Sequence, residues 1–451
     1  MTKLVKKHDS SGLSRRGLLR LAVAGASSSA GLSTMRLWGS EIDMAYSGRL
    51  LVNLQLDGGA DVTQFCDPKV NMPGERKINH WADSQEPGQV GNISYAPIAG
   101  NAQLFERFGA DTLIINGVDV QTNSHETGRL FNWTGSNAEG HPSLSALFAA
   151  AQSPDQPLAY SVYGGFSRTA GLVNLNRFDD LSDMLILARP DLDPRSAQPL
   201  RAASDLERSR AIVQSDISQL LAQPQLSVRK RLNMLRYTDS RDGREGLERL
   251  AELIPAPDEI ESSVDIDAGV NMFGSNLKQQ MQGALMVFQS GLGSAADLSL
   301  GGFDSHNDHD PISEALFAHL ADALNFFWDE AEQAGLADRI LLVVGSDFSR
   351  TNYYNDGNGK DHWPVGSYMI MERGAPWGDR VVGLSDELHF AQPINPATLE
   401  YDRSGVIPTP AHVHQSIRDY LGLTDFAEER GLGFRGVDSL PLFDPFLSYG
   451  V

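Results

Sequence analysis

The sequence predicts an α/β protein, a three-layer α/β/α sandwich with a mostly parallel sheet covered by helices on both faces. Three observations lead there. Ile340-Leu341-Leu342-Val343-Val344 is an unbroken apolar run, as expected of a strand buried on both sides. Helical patterns alternate with such runs. The clearest is Ile312–Ala334, where Leu316, Leu320, Leu324 and Phe327 recur at three- and four-residue spacing and Gly335 closes the pattern. Several apolar runs end in a carboxylate or lead into a loop that carries one: Asp57, Asp304 and Asp347. Open α/β sheets bind ligands at the carboxyl edge of their strands, so these three residues should share one site.

The elements follow in order. Leu50-Leu51-Val52-Asn53-Leu54-Gln55-Leu56 reads as a first strand that ends at Asp57-Gly58-Gly59-Ala60-Asp61. Asp111-Thr112-Leu113-Ile114-Ile115-Asn116-Gly117 reads as a second, followed by the loop Thr122-Asn123-Ser124-His125-Glu126-Thr127-Gly128. Residues 159–163 form a further short strand. From about 180 to 265 the texture changes to charged, leucine-punctuated stretches such as Ser204–Leu221 and Val228–Leu235, broken by Ile254-Pro255-Ala256-Pro257. This stretch is expected to be a helical insertion or cap. Asn276–Gln289 has helical spacing and leads into the short strand Leu298–Phe303 before Asp304. Tyr368-Met369-Ile370-Met371 is another strand, and His412–Leu421 is a helix entered through Pro408-Thr409-Pro410.

Composition narrows the function. The 451 residues suit one large α/β domain with insertions, and 41% hydrophobic content supplies its core. A net charge of −21 argues against nucleic acid and anionic membrane surfaces as partners. With Cys66 alone, no intrachain disulfide forms. Ser14-Arg15-Arg16-Gly17-Leu18-Leu19-Arg20 has the twin-arginine pattern, and the weakly apolar run Leu21–Leu32 follows it. Residues 1–46 therefore read as an export signal and linker, and 47–451 as the folded domain, placed in the periplasm or outside the cell. The apolar run is too short and too polar to be a transmembrane anchor.

Asp304-Ser305-His306-Asn307-Asp308-His309-Asp310 packs three carboxylates and two imidazoles into seven residues on a strand-to-helix loop. Joined by Asp57, Asp347 and His362, it reads as a metal site built from Asp57, Asp304, His306, His309, Asp347 and His362. Mixed oxygen and imidazole ligands fit zinc or manganese better than calcium. Asp61, Asp308, Arg350, Asp361 and His414 are candidates to support those ligands. For Asp57 or Asp347 alone, capping a helix is the competing role.

Leu56-Asp57-Gly58-Gly59-Ala60-Asp61, Thr122-Asn123-Ser124-His125-Glu126, Gly301-Gly302-Phe303-Asp304-Ser305-His306, Gly345-Ser346-Asp347-Phe348-Ser349-Arg350-Thr351 and Gly359-Lys360-Asp361-His362-Trp363-Pro364 occur in this order. Together they resemble the exported proteins of the domain-of-unknown-function family 1501, in the alkaline phosphatase and sulfatase superfamily. The resemblance implies an alkaline phosphatase-like domain with one or two divalent ions. It implies Ser124 as nucleophile, in an Asn-Ser-x-x-x-Gly context similar to that of cofactor-independent phosphoglycerate mutases. It matches the superfamily's metal aspartates to Asp57, Asp304 and Asp347, and its histidines to His306 or His309 and to His362. Asp308 and Phe348 stand where the superfamily has histidine, which leaves Asp361 or His414 to fill in. Cys66-Asp67-Pro68 begins the sulfatase signature, but Val70 replaces its arginine. Two readings stay open. One is an exported metal-dependent hydrolase of small phosphate or sulfate esters. The other is a non-catalytic exported protein that binds metal, a partner or a glycan on the same fold.

Overall fold

Alternation along the first strand sets the architecture. Leu50, Val52, Leu54 and Leu56 enter one hydrophobic core, while Leu51 enters a second on the opposite face. Ile340, Leu342 and Val344 repeat the division against Leu341 and Val343. The first core is completed by the helices Asn101–Phe108, Leu277–Gln289 and His309–Gln333, the second by Leu144–Gln152 and Pro410–Tyr420. The computed structural model describes residues 45–179, 181–193, 198–227, 229–231, 234, 244–255 and 276–447. The twin-arginine segment and half of Val228–Leu235 lie outside the described residues.

The strands are β1 (Leu50–Leu56), β2 (Gly88–Val90), β3 (Ile93–Tyr95), β4 (Thr112–Asp119), β5 (Tyr160–Val162), β6 (Asn176–Arg177), β7 (Ala295–Leu300), β8 (Ile340–Ser346), β9 (Ser349–Arg350), β10 (His362–Trp363), β11 (Val365–Met371) and β12 (Arg380–Val382). Eight of them form one sheet in the order β12-β4-β11-β8-β1-β7-β5-β6. All run the same way except β11, which is antiparallel to both β4 and β8. β7, β1 and β8 are adjacent and parallel, with Leu56 level with Leu300 on one side and Ser346 on the other. Asp57, Asp304 and Asp347 therefore leave the sheet at the same edge. The reversed direction of β11 matters for the same reason. A strand running backwards starts at the edge where its neighbours end, so β10 delivers His362 there.

The long helix begins at His309, earlier than its apolar spacing shows, because Asp308 turns the chain at φ 47° and Pro311 sits in the first turn, where it needs no N–H partner. In the stretch read as an insertion, Leu181–Ala188 and Arg244–Leu253 pack Leu181, Met184, Ala188 and Leu250 against the first core. Ala203–Leu221 buries only Ile217 among its described side chains.

Candidate metal centre

Each segment reaches the carboxyl edge for a local reason. Gly58 and Gly59 adopt φ of 111° and 83°, a left-handed pair that aims both N–H groups at one point. The acceptor there is Asp347 Oδ1, at 3.1 Å from Gly58 N and 2.7 Å from Gly59 N. The helix His125–Thr134 starts over Asp347 so closely that a Cβ on Gly128 would lie 2.3 Å from the Asp347 carbonyl oxygen. Its first residue, His125, thereby meets the other carboxylate oxygen: Nδ1 to Asp347 Oδ2 is 2.5 Å.

His125, Asp304 and His362 come together, with one ligand atom of each lying within 4.8 Å of the others. Asp304 Oδ2 is 3.5 Å from His125 Nε2, and Oδ1 is 3.2 Å from His362 Nε2 and 3.0 Å from His306 Nε2. Arg350, fully buried, holds the same Oδ1 at 2.7 Å and ties its own guanidinium to the carbonyls of Gly58, Gly59 and Lys360. His125 beside it at 3.5 Å, then the Arg350 bond and charge, hold the Asp304 carboxyl well below the usual carboxylate range. The neighbouring Asp304 and Asp347 carboxylates raise His125 to about 9, so without an ion the ring takes the extra proton itself.

The hydrogens decide whether these residues fit an ion. His125 Nδ1 faces the Asp347 carboxylate, His306 Nδ1 faces Asp361 Oδ1 at 2.9 Å, and His362 Nδ1 faces the Asn123 carbonyl at 2.7 Å. Each of these oxygens accepts, so each Nδ1 donates. Every neutral ring then turns a bare Nε2 lone pair toward Asp304. His306 Nε2 and His362 Nε2 lie 3.1 Å apart, acceptor against acceptor, and His125 Nε2 is buried with no hydrogen-bond partner. Only a cation relieves this arrangement, either protons or a metal. Oxygen-oriented imidazoles converging on a carboxylate are how proteins build metal ligands. The residues fit a divalent ion. His125, Asp304 and His362 would hold it, with His306 alongside.

The other predicted residues lie around this point. Asp57 pairs with Arg129 Nε at 3.2 Å and accepts from Ser299 Oγ at 2.7 Å. Burial, with the Asp347 charge, raises its carboxyl against the lowering effect of Ser299 and Arg129. Ser124 is exposed at the cap position of the helix, and its side chain makes no capping hydrogen bond. His309 is buried beneath the loop, with Nε2 2.9 Å from Asp61 Oδ2 and Nδ1 2.7 Å from Ser305 Oγ. Lys360 meets the same Asp61 oxygen at 2.6 Å. Burial opposes ionisation of Asp61, but the Lys360 charge and the His309 bond override it and keep the carboxyl far below its ordinary value. Asp308 is exposed at the head of the long helix. His414 is buried and donates Nε2–H to the Asn132 carbonyl at 2.6 Å; burial pushes it down to about 3. Cys66 is a buried free thiol.

A family model described as a protein of unknown function, DUF1501, matches residues 49–403. The chain belongs to that family. No curated protein matches this DUF1501 member in sequence. Solved structures similar to it include Ps i-CgsB in complex with k-i-k-neocarrahexaose, at 8% identity and TM-score 0.39, covering 88% of this chain and 78% of that one. Another is a protein in the alkaline phosphatase superfamily from Vibrio parahaemolyticus, at 8% identity and TM-score 0.37, covering 84% and 67%. A third is the lipoteichoic acid synthase LtaP from Listeria monocytogenes, at 11% identity and TM-score 0.34, covering 91% and 78%. No helix among the described residues is long and apolar enough to cross a membrane.

Two residues of this DUF1501 member escape a reading of the sequence: His125 and Arg129. His125 stands next to Ser124, which draws the reading to itself. Phe348, at the position where histidine was expected, packs its ring 4.6 Å from His125 and 4.4 Å from His362. It forms an apolar wall behind two of the imidazoles.

Proposed function

We propose that this protein is an exported metal-dependent hydrolase of phosphate or sulfate esters. The supporting observation is the convergence of His125 Nε2, His362 Nε2 and Asp304, with each Nδ1 locked to an oxygen. The imidazole-rich set suits zinc or manganese. A divalent ion held there would act as a Lewis acid toward a phosphoryl or sulfuryl oxygen. Arg350 fixes Asp304, Asp347 orients His125, and Asp361 orients His306. Ser124 would supply the nucleophilic hydroxyl, one residue before His125, at a helix start whose unpaired N–H groups suit an anionic ester. Arg129, half-exposed one turn further along, adds positive charge to the same approach. Residues 1–46 would direct the folded domain to the periplasm or the exterior. Replacing Arg15 and Arg16 with Lys should hold it in the cytoplasm, and unchanged recovery outside would overturn that part.

The reading is tested by metal analysis of the purified protein, followed by a screen of small phosphate and sulfate esters. A bound divalent ion with ester hydrolysis is expected, both lost in His362→Ala. Hydrolysis that survives complete metal removal would sink the reading. One observation favours a non-catalytic metal-binding or glycan-binding protein instead: among the described residues, Ser124 Oγ makes no hydrogen bond with Asp304, Asp347 or His362. Stoichiometric metal without turnover of any ester would select that second reading.

A further inference from the structure

We propose that the centre holds one ion, and that the guanidinium of Arg129 takes the place of a second cation. This rests on the metal reading above and goes beyond it by fixing the count. Asp57 and Asp347 are the carboxylates available for a second ion, and both are already engaged. Asp347 spends Oδ1 on the N–H groups of Gly58 and Gly59, with Ser346 Oγ at 3.2 Å, and Oδ2 on His125 Nδ1. Asp57 spends Oδ2 on Ser299 Oγ and faces Arg129 Nε with Oδ1. Arg129 lies four residues after His125 on the same helix, so both project from one face toward the sheet edge.

Charge gives the same count. Asp57, Asp304, Asp347 and Asp361 contribute four negative charges at the edge, and Arg129 and Arg350 contribute two positive ones. One divalent ion restores neutrality once it has taken the place of the extra proton on His125, leaving the histidines neutral. A second would leave a large uncompensated positive charge beside Arg129, and close like charges repel strongly where water is partly excluded. Removing the Arg129 charge should reverse the balance, because Asp57, which already feels the Asp347 charge, would then lack its paired cation.

The test titrates Mn²⁺ into metal-stripped full-length protein at mildly alkaline pH. Stoichiometry is read by elemental analysis, and ion–ion coupling by electron paramagnetic resonance. Wild type should take one ion per chain and give the signal of an isolated ion. Arg129→Ala should keep that ion and take a second, weaker one coupled to the first. Arg129→Ala with Asp57→Asn should return to one. Two coupled ions in wild type would overturn the proposal while leaving the metal reading intact. So would an Arg129→Ala variant, folded by circular dichroism, that stops at one. No ion in any of the proteins would overturn both.

Discussion

Two groups of aspartate and histidine stand side by side at the sheet edge and are built on opposite terms. Below the loop, Asp61, His309 and Lys360 are at most 1% exposed, and each polar group meets a complementary one: Lys360 and His309 on Asp61, Ser305 on His309. Above it, Asp304 is 45% exposed, and three imidazoles present lone pairs to it and to one another. His306 and His309 belong to the same short motif and fall on different sides of this division. Residue type does not separate a structural cluster from a ligand cluster. The balance of donors and acceptors does. The lower group is complete without a guest, and the upper group is short of a cation.

The lower group also has a task toward the upper one. Lys360 N donates to the Ser305 carbonyl at 3.2 Å, His309 N to the Asn358 carbonyl at 3.0 Å, and Asn355 Nδ2 to the His306 carbonyl at 3.0 Å. A Cβ on Gly359 would lie 2.0 Å from the His306 carbonyl. The loops that carry His306 and His362 are thus pressed backbone to backbone over a buried ion pair.

The largest effect should come from breaking the lower group. Lys360→Met leaves Asp61 buried without its cation, and loss of one partner of a buried pair costs about 3–5 kcal/mol. Urea denaturation of the metal-free protein should show a loss of that order. A loss under about 1 kcal/mol would mean that the buried group is not the rigid base described.

Acid should strike the same group. The folded-state carboxyl of Asp61 is depressed, so its contribution to stability is fully present above its unfolded value, about 3.9, and is lost as pH falls below it. Stability of the metal-free protein should therefore drop in that range, and Asp61→Asn should flatten the drop. An unchanged slope in the variant would place the acid sensitivity elsewhere.

His362→Ala should separate the two groups. His362 is part-exposed and gives up its bond to the Asn123 carbonyl without stranding a buried charge, so stability of the metal-free protein should change by less than about 1 kcal/mol. Bound metal should fall from stoichiometric to trace. Asp361→Asn, which only loosens the orientation of His306, should weaken metal binding by about 10–100-fold. Full retention of metal in His362→Ala would remove that residue from the centre.

Much of this was legible in the sequence, for physical reasons. β8 opens on the unbroken apolar run Ile340–Val344, and β1 is apolar but for Asn53 and Gln55, so their strands and the carboxylates that end them could be read directly. The antiparallel β11 could not, because its apolar run looks the same in either direction. The different fates of His306 and His309 were hidden too. They depend on the turn at Asp308, which leaves one imidazole on the loop and puts the other in the first turn of a helix above Asp61. Arg129 was invisible because its partner Asp57 lies 72 positions away, across the sheet edge.

The smallest stability effect should be at Ser124, and it tests the nucleophile against the cap. A serine that caps a helix through its hydroxyl typically loses about 0.5–2 kcal/mol on replacement by alanine. Here the side chain makes no capping hydrogen bond, and the preceding backbone is held by Thr122 Oγ1, which accepts from Ser124 N at 3.1 Å. Ser124→Ala should therefore leave unfolding free energy within about 0.3 kcal/mol of wild type, below the capping range. Metal stoichiometry should also hold, since no ligand atom is removed. Ester turnover should fall by a factor of about 100 or more if the hydroxyl forms a covalent intermediate. Stability lost with turnover retained would identify Ser124 as a cap and assign the attack to water. Neither quantity moving would leave the hydroxyl with no role in hydrolysis. The two measurements together discriminate because the exposed cap position separates what the residue does for the helix from what it does for a substrate.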